Sequence, residues 1–288
     1  MTQGVDPVQP QTVIFMHMPK AGGSTMNHIV DWNYDTIFSL AHYNRIPAFI
    51  ALPEDKKRRI DCVKGPIFYG IHRYLPQECT YITLIRHPVQ RVISQYYYDF
   101  RRKRRLGQRV PNWTIEKYLE IAPFHPTYQL RLLVGGADIE SVLHDPLPKN
   151  AIAIARQHLA EHFAVAGVTD YYDETLLLMK HALGWTRAFY ARQNVDEDRE
   201  SRNPLPATTM QLLEHECADE MELYEFVKQQ TEALIAAQDA SFRHQLEQLQ
   251  RANRRFERLW NLAGPVRNTR LWNFVRSTAR AINRRGNS

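Results

Sequence analysis

The sequence predicts an α/β fold, a parallel sheet flanked by helices, with a helical C-terminal extension. Three observations predict it. Short β-branched and aromatic runs alternate with stretches of helical spacing through the first two-thirds of the chain, and strand–helix alternation of this kind gives a parallel sheet with right-handed crossovers. The strand runs are short and their apolar stretches largely continuous, as expected for strands covered on both faces. Beyond about residue 207 the pattern becomes almost wholly helical.

The first run, TVIFMH at 12–17, leads into a Pro/Gly-rich turn, MPKAGG, and then STMNHIVDWNY with helical spacing. That is strand, loop, helix. Further strands are expected over PIFYGIH at 66–72, TYITLIR at 80–86 and HFAVAGV at 162–168. Pro88 stands where a first helical turn accepts it, opening a helix through VQRVISQYYYDF. The last strand leads into the helix YYDETLLLMKHALGW, and a loop, NVDEDRESRNPLP, precedes the C-terminal helices. There Ile235, Phe242, Leu249 and Phe256 recur every seven residues, which fits either a coiled-coil seam or a long amphipathic helix packed on its own domain. The expected division is a disordered N-terminus over 1–11, one domain over 12–230 and a basic helical extension over 231–288.

A chain of 288 residues buries a substantial core, so one α/β domain is expected rather than two. The opening MTQGVDPVQPQT lacks the apolar centre of a signal peptide, and no run has the roughly 18 apolar residues of a membrane span. Cys62, Cys79 and Cys217 are scattered and form no CxxC pair, which excludes a disulfide framework and a zinc signature. A cytoplasmic protein is expected, peripheral to a membrane at most. The formal charge of +6 suits an anionic ligand.

MPKAGGST at 18–25 carries the strongest chemical signal. Between a strand and a helix, Gly22 and Gly23 let backbone N–H groups approach an anion, the helix N-terminus adds its dipole, and Lys20, Ser24 and Thr25 supply further donors. The fold is therefore P-loop-like, but the loop is not a Walker A motif, because its lysine precedes the glycines. The second signal is RHPVQRVISQYYYDF at 86–100. Arg86 at a strand end and Ser94 two helical turns later can converge on one phosphate, the guanidinium as a charge-assisted fork.

In that order the two segments resemble the sulfotransferases that use 3′-phosphoadenosine-5′-phosphosulfate (PAPS), specifically the glycan-modifying branch that includes heparan sulfate 2-O-sulfotransferase and bacterial relatives. The family's PKxGGT/S loop reads PKAGGST here, and its R-[DH]-P-x-x-R-x-x-S-x-[YW] element reads RHPVQRVISQY. FAVAGVTDYYDETLLLMKHALGW at 163–185 and DEMELYEFVKQQ at 219–230 are also similar to family segments. His87 stands where many relatives have aspartate. The resemblance implies that Lys20 bonds the bridging oxygen of the phosphosulfate. Ala21, Gly22, Gly23, Ser24 and Thr25 would complete the 5′-phosphate cradle, and Arg86 and Ser94 would hold the 3′-phosphate. PAP is then the product, and no metal is needed.

The resemblance also points to His72 as general base for the acceptor hydroxyl, at the end of the expected strand YGIH, although Gly70 stands where some relatives carry a second histidine. His17, just before the loop, is the next candidate. Arg131 in TYQLRLLVGG is expected near the acceptor cleft, and Arg199 and Arg202 in the loop that closes over the nucleotide in relatives. The acceptor is expected to be a glycan or glycoside. Arg101, Arg102, Lys103, Arg104 and Arg105 could collect an anionic glycan, and the arginine-rich tail from 251, with Phe256, Trp260, Trp272 and Phe274 interleaved, could lie on an anionic membrane or bind a polyanion. No nucleic-acid partner is expected, and a homo-oligomer is left open. The alternatives are a P-loop nucleotide kinase, which needs Mg²⁺, and a non-catalytic polyanion- or membrane-binding protein.

Overall fold

A computed structural model describes residues 12–109, 113–191 and 204–262, with side chains to Arg258. The N-terminal segment 1–11 expected to be disordered, Arg199, Arg202 and the tail from residue 263 lie outside the described residues.

In chain order the elements are β1 (Thr12–Met16), α1 (Gly23–Asn33), β2 (Ile37–Ser39), α2 (Ile46–Ile50), α3 (Glu54–Lys57), β3 (Cys62–Gly65), β4 (Cys79–Ile85), α4 (Pro88–Arg105), α5 (Ile115–Ile121), α6 (Tyr128–Val134), α7 (Ile139–His144), α8 (Ala151–His162), β5 (Phe163–Val168), α9 (Tyr172–Ala182), α10 (Ala207–Glu216), α11 (Ala218–Ala236) and α12 (Ala240–Leu262). The five strands form one all-parallel sheet in the order β2-β3-β1-β4-β5. β1 is central, and all five of its residues are buried, consistent with helices on both faces. The predicted α/β architecture is therefore the observed one.

One predicted strand is displaced. The apolar run 66–72 is not a strand; β3 occupies Cys62–Gly65, and Ile71–Tyr74 forms a 3-10 turn. Gly65 has φ +147°, and a Cβ there would stand 2.0 Å from the Leu40 carbonyl oxygen. The strand therefore ends at Gly65, and Pro66 has no N–H with which to extend the ladder. Ile67, Phe68, Tyr69 and Ile71 are still buried, as the crossover from β3 to β4. Continuous apolarity reports burial, which strand and crossover share. The short edge strand β2 escaped notice for a related reason, since three residues carry no readable period.

The heptad positions resolve as packing on the chain's own domain. Ile235 lies in α11, whereas Phe242, Leu249 and Phe256 lie in α12, so no single helix carries the series. Phe242 and Leu249 are buried in the principal core, and the Phe256 ring meets Trp32 and Phe189 at centroid distances of 5.8 and 5.2 Å.

Candidate functional site

The loop between β1 and α1 has an unusual backbone. Lys20 takes a left-handed conformation (φ 70°), as does Gly22 (φ 74°). A non-glycine residue there is strained by about 1–2 kcal/mol, so the loop holds Lys20 where relaxed backbone would not. Two contacts explain the glycines. A Cβ on Gly22 would stand 2.7 Å from the Tyr172 ring, and one on Gly23 would fall within 2.0 Å of the His17 ring. Gly22 precedes the first turn of α1, which carries no acidic residue. The helix thus directs its positive end at the loop without a competing carboxylate.

The second segment meets the first directly. Arg86, the residue after β4, donates from Nη1 to the Lys20 carbonyl at 2.9 Å. Its own main chain is held by Gln129, whose Oε1 accepts from the Arg86 N–H at 2.9 Å and whose Nε2 donates to the Arg86 carbonyl at 2.8 Å. The Lys20 ammonium lies 4.1 Å from the centroid of the Tyr98 ring on α4, a cation–π contact. Ser94 is one helical turn before Tyr98 and shares its face, so it fronts the same loop. Lys20, the loop 21–25, Arg86 and Ser94 are therefore gathered at the C-terminal edge of β1 and β4, where open parallel sheets bind ligands.

His17 belongs to this group. It follows directly on β1, stacks on Phe15 at 5.7 Å and lies against the Gly23 backbone. Burial, and then the charges of Lys64 and Lys20, lower its pKa to about 4. Lys64 on β3 is itself buried and pairs with Asp31 at 2.6 Å. It adds positive potential beneath the loop that nothing in the sequence singled out.

His72 is placed elsewhere. It lies in the 3-10 turn rather than at a strand end, and its Nδ1 shares a 2.9 Å hydrogen bond with the Tyr81 hydroxyl. Its ring stacks at 4.9 Å on that of His162, the last residue of α8, just where β5 begins. Tyr81 registers with Ile14, whereas the loop leaves after Met16, which registers with Thr83. From Tyr81 to Ile85 the strand itself spans roughly 13 Å, so His72 is drawn toward the starting ends of β4 and β5, away from Arg86. Arg131 is likewise committed elsewhere: it donates to Thr127 Oγ1 at 2.9 Å and to the carbonyls of Val142 and Asp145 at 3.3 and 2.8 Å, binding α6 to α7. The basic run at the end of α4 is largely exposed, with Lys103 4.9 Å from the Trp113 ring centroid.

Sequence reasoning missed Gln129, Tyr98 and Lys64. Tyr98 could have been found, since it falls on the Ser94 face of the predicted helix; Gln129 and Lys64 sit in apolar surroundings that carry no local signal.

Among the described residues no cluster of three or more candidate metal ligands occurs, and no helix is long and apolar enough to cross a membrane. Comparison with curated proteins returns no match. Residues 7–278 match the family model described as "Sulfotransferase family", a match that runs well past residue 230 and takes in all of α12. With nearly the whole chain covered by that match, the protein belongs to the sulfotransferase family.

Proposed function

We propose that the protein moves the sulfuryl group of PAPS to a hydroxyl of a carbohydrate acceptor, releasing PAP. The observation that carries this reading is the 2.9 Å bond from Arg86 to the Lys20 carbonyl, which joins the two phosphate-binding segments into one anion site. The donor set fits a nucleotide with two separated phosphate groups. Helix α1 and residues Ala21 to Thr25 face one group through backbone N–H and hydroxyl donors, and Arg86 with Ser94 faces the other. Lys20 supplies a mobile positive charge where negative charge develops on the leaving phosphate, the kind of electrostatic assistance that group transfer of this type requires.

For the acceptor proton the geometry favours His17 over His72. His17 is neutral at pH 7 because burial and two lysines hold its pKa near 4, so its ring can accept a proton. A bound anionic nucleotide opposes the lysines' influence, the smaller part of the shift, while burial, its largest cause, remains. His72 is also neutral, with its pKa lowered to about 4 by burial first and by His162, Arg73 and His158 after it, but its bond to Tyr81 keeps it from the loop.

Calorimetric titration with PAP in EDTA tests the site. Metal-independent binding of PAP, tighter than that of ATP, is the expected result. Binding that requires Mg²⁺ and prefers ATP would support a nucleotide kinase, and PAP binding without sulfate transfer to any of a panel of glycans would support a non-catalytic protein.

A further inference from the structure

Arg91, Gln129 and Glu220 are wholly buried, each with 0% of its surface exposed, and of the three only Gln129 touches a residue of the site, through the Arg86 main chain. Glu220 enters from α11 and accepts four hydrogen bonds. Oε1 takes Arg91 Nε at 3.3 Å and Gln129 Nε2 at 2.9 Å, while Oε2 takes the backbone N–H groups of Gln129 at 2.6 Å and Leu130 at 3.2 Å. Burial pushes the Glu220 carboxyl up, and Arg91 with the three amide donors opposes this. With every lone-pair direction engaged by an N–H donor, no place is left for a proton, and the group is a carboxylate. Arg91 also donates through Nη2 to the His125 carbonyl and lies 5.3 Å from the Tyr128 ring centroid.

A buried ion pair of this kind is seldom retained for stability alone, because desolvation consumes most of the Coulombic gain and a well-packed apolar pair would do as well or better. What it does here is fix geometry. One carboxylate pins α4 through Arg91, α6 through two backbone N–H groups, and Arg86 through the Gln129 amide. That amide bonds both backbone groups of Arg86 in the manner of a neighbouring strand, continuing the order of β4 one residue past Ile85. The helix pinned by Arg91 is the one that carries Ser94 and Tyr98.

We propose that Gln129, held by the Arg91–Glu220 pair, is a positioning residue that fixes the Arg86 guanidinium and so sets the spacing between the two halves of the anion site. The inference rests on the reading of Arg86 as a nucleotide ligand. It assigns no contact with the nucleotide to Gln129 itself, so its effect on binding passes through Arg86.

A double-mutant cycle with PAP as the probe tests it. Arg86→Ala should weaken PAP binding, and Gln129→Met, which keeps the volume but not the amide, should weaken it roughly tenfold, the scale of one or two lost hydrogen bonds. The double variant should bind no more weakly than Arg86→Ala alone. A merely structural Gln129 would give effects that add in full. Should Gln129→Met fail to fold, Gln129→Asn, which withdraws the amide by one methylene, replaces it in the same cycle. A folded Gln129 variant with the affinity of the parent, or full additivity in the double variant, overturns the clamp while leaving the sulfotransferase site intact. If Arg86→Ala leaves PAP affinity unchanged, Arg86 is not a nucleotide ligand, and the site assignment and the clamp both fall.

Discussion

Lys20 joins two properties that substitutions can separate, a charge at the proposed anion site and a strained backbone. Alanine removes the charge and keeps the strain, whereas glycine removes both. Lys20→Ala and Lys20→Gly should therefore lose turnover alike, while thermal unfolding shows the glycine variant more stable than the alanine variant by about 1 kcal/mol. Equal stability of the two would mean that the φ of 70° stores no strain. The histidines give a second contrast. His17→Ala should lower turnover by roughly 10² to 10⁴, the usual scale for a positioned base, and should spare most of the PAP affinity. His72→Ala should leave turnover near that of the parent, and a large loss there would return the base to His72. Much of this site was legible in the sequence, because Lys20, Gly22, Gly23, Arg86 and Ser94 belong to local motifs whose spacing dictates their convergence. The surroundings of His72 were not, since a position between two motifs says nothing about how a crossover folds back. His72 is drawn off by Tyr81 and His162, partners near it in space that no linear spacing reveals.

At the scale of elements, α12, which opens within the expected C-terminal extension, lies against the core. Asn253 accepts from the Tyr190 N–H at 2.9 Å and donates to Asp173 Oδ1 at 3.3 Å, and Tyr190 donates to the same carboxylate at 2.7 Å. Tyr190 packs at 5.1 Å on Tyr172, the ring that closes on Gly22. The helix therefore supports α9 and, through it, the outer wall of the anion loop. Truncation after Asp239 should abolish cooperative unfolding or lower Tm by many degrees. Phe242→Ala, which opens a cavity at a buried ring, should destabilise by about 3–5 kcal/mol. An unchanged Tm in the truncated chain would show that α12 adds nothing to the stability of the core. The sequence showed α12 to be amphipathic but not its partner, since a seven-residue apolar series suits a coiled-coil mate and a domain surface equally.

At the scale of the whole molecule, the parallel sheet brings Lys20, Arg86 and His17 to one edge, and the chain holds one buried histidine, His125, and two partly buried ones, His17 and His72, with lowered pKa. The fold class was legible because strand–helix alternation leaves few topologies open, whereas these histidines' states depend on contacts between distant segments. Burial is the main cause in each case: it lowers the pKa of His17 and of His72 from 6.5 to about 4, and that of His125 from 6.5 to about 3. The linkage has a definite sign. The unfolded chain takes up protons at these sites near pH 6.5 and the folded chain does not, so below that pH the unfolded state binds more protons and stability falls as pH falls. Their contribution is fully present above pH 6.5 and drains away as pH drops toward 4. Tm followed by circular dichroism from about pH 7.5 to about pH 4.5 should thus decline steadily through the histidine range, before most carboxylates titrate. His125→Gln should make that decline shallower, since its ring is buried beside Arg91 and bonded through Nε2 to the Tyr118 hydroxyl at 2.7 Å, with Nδ1 buried and unpartnered. The readout is the slope rather than the absolute Tm, so a variant of lower overall stability still answers the question. A parent Tm that stays level through this window, or a His125→Gln slope as steep as the parent's, would show that these rings do not govern the acid limb.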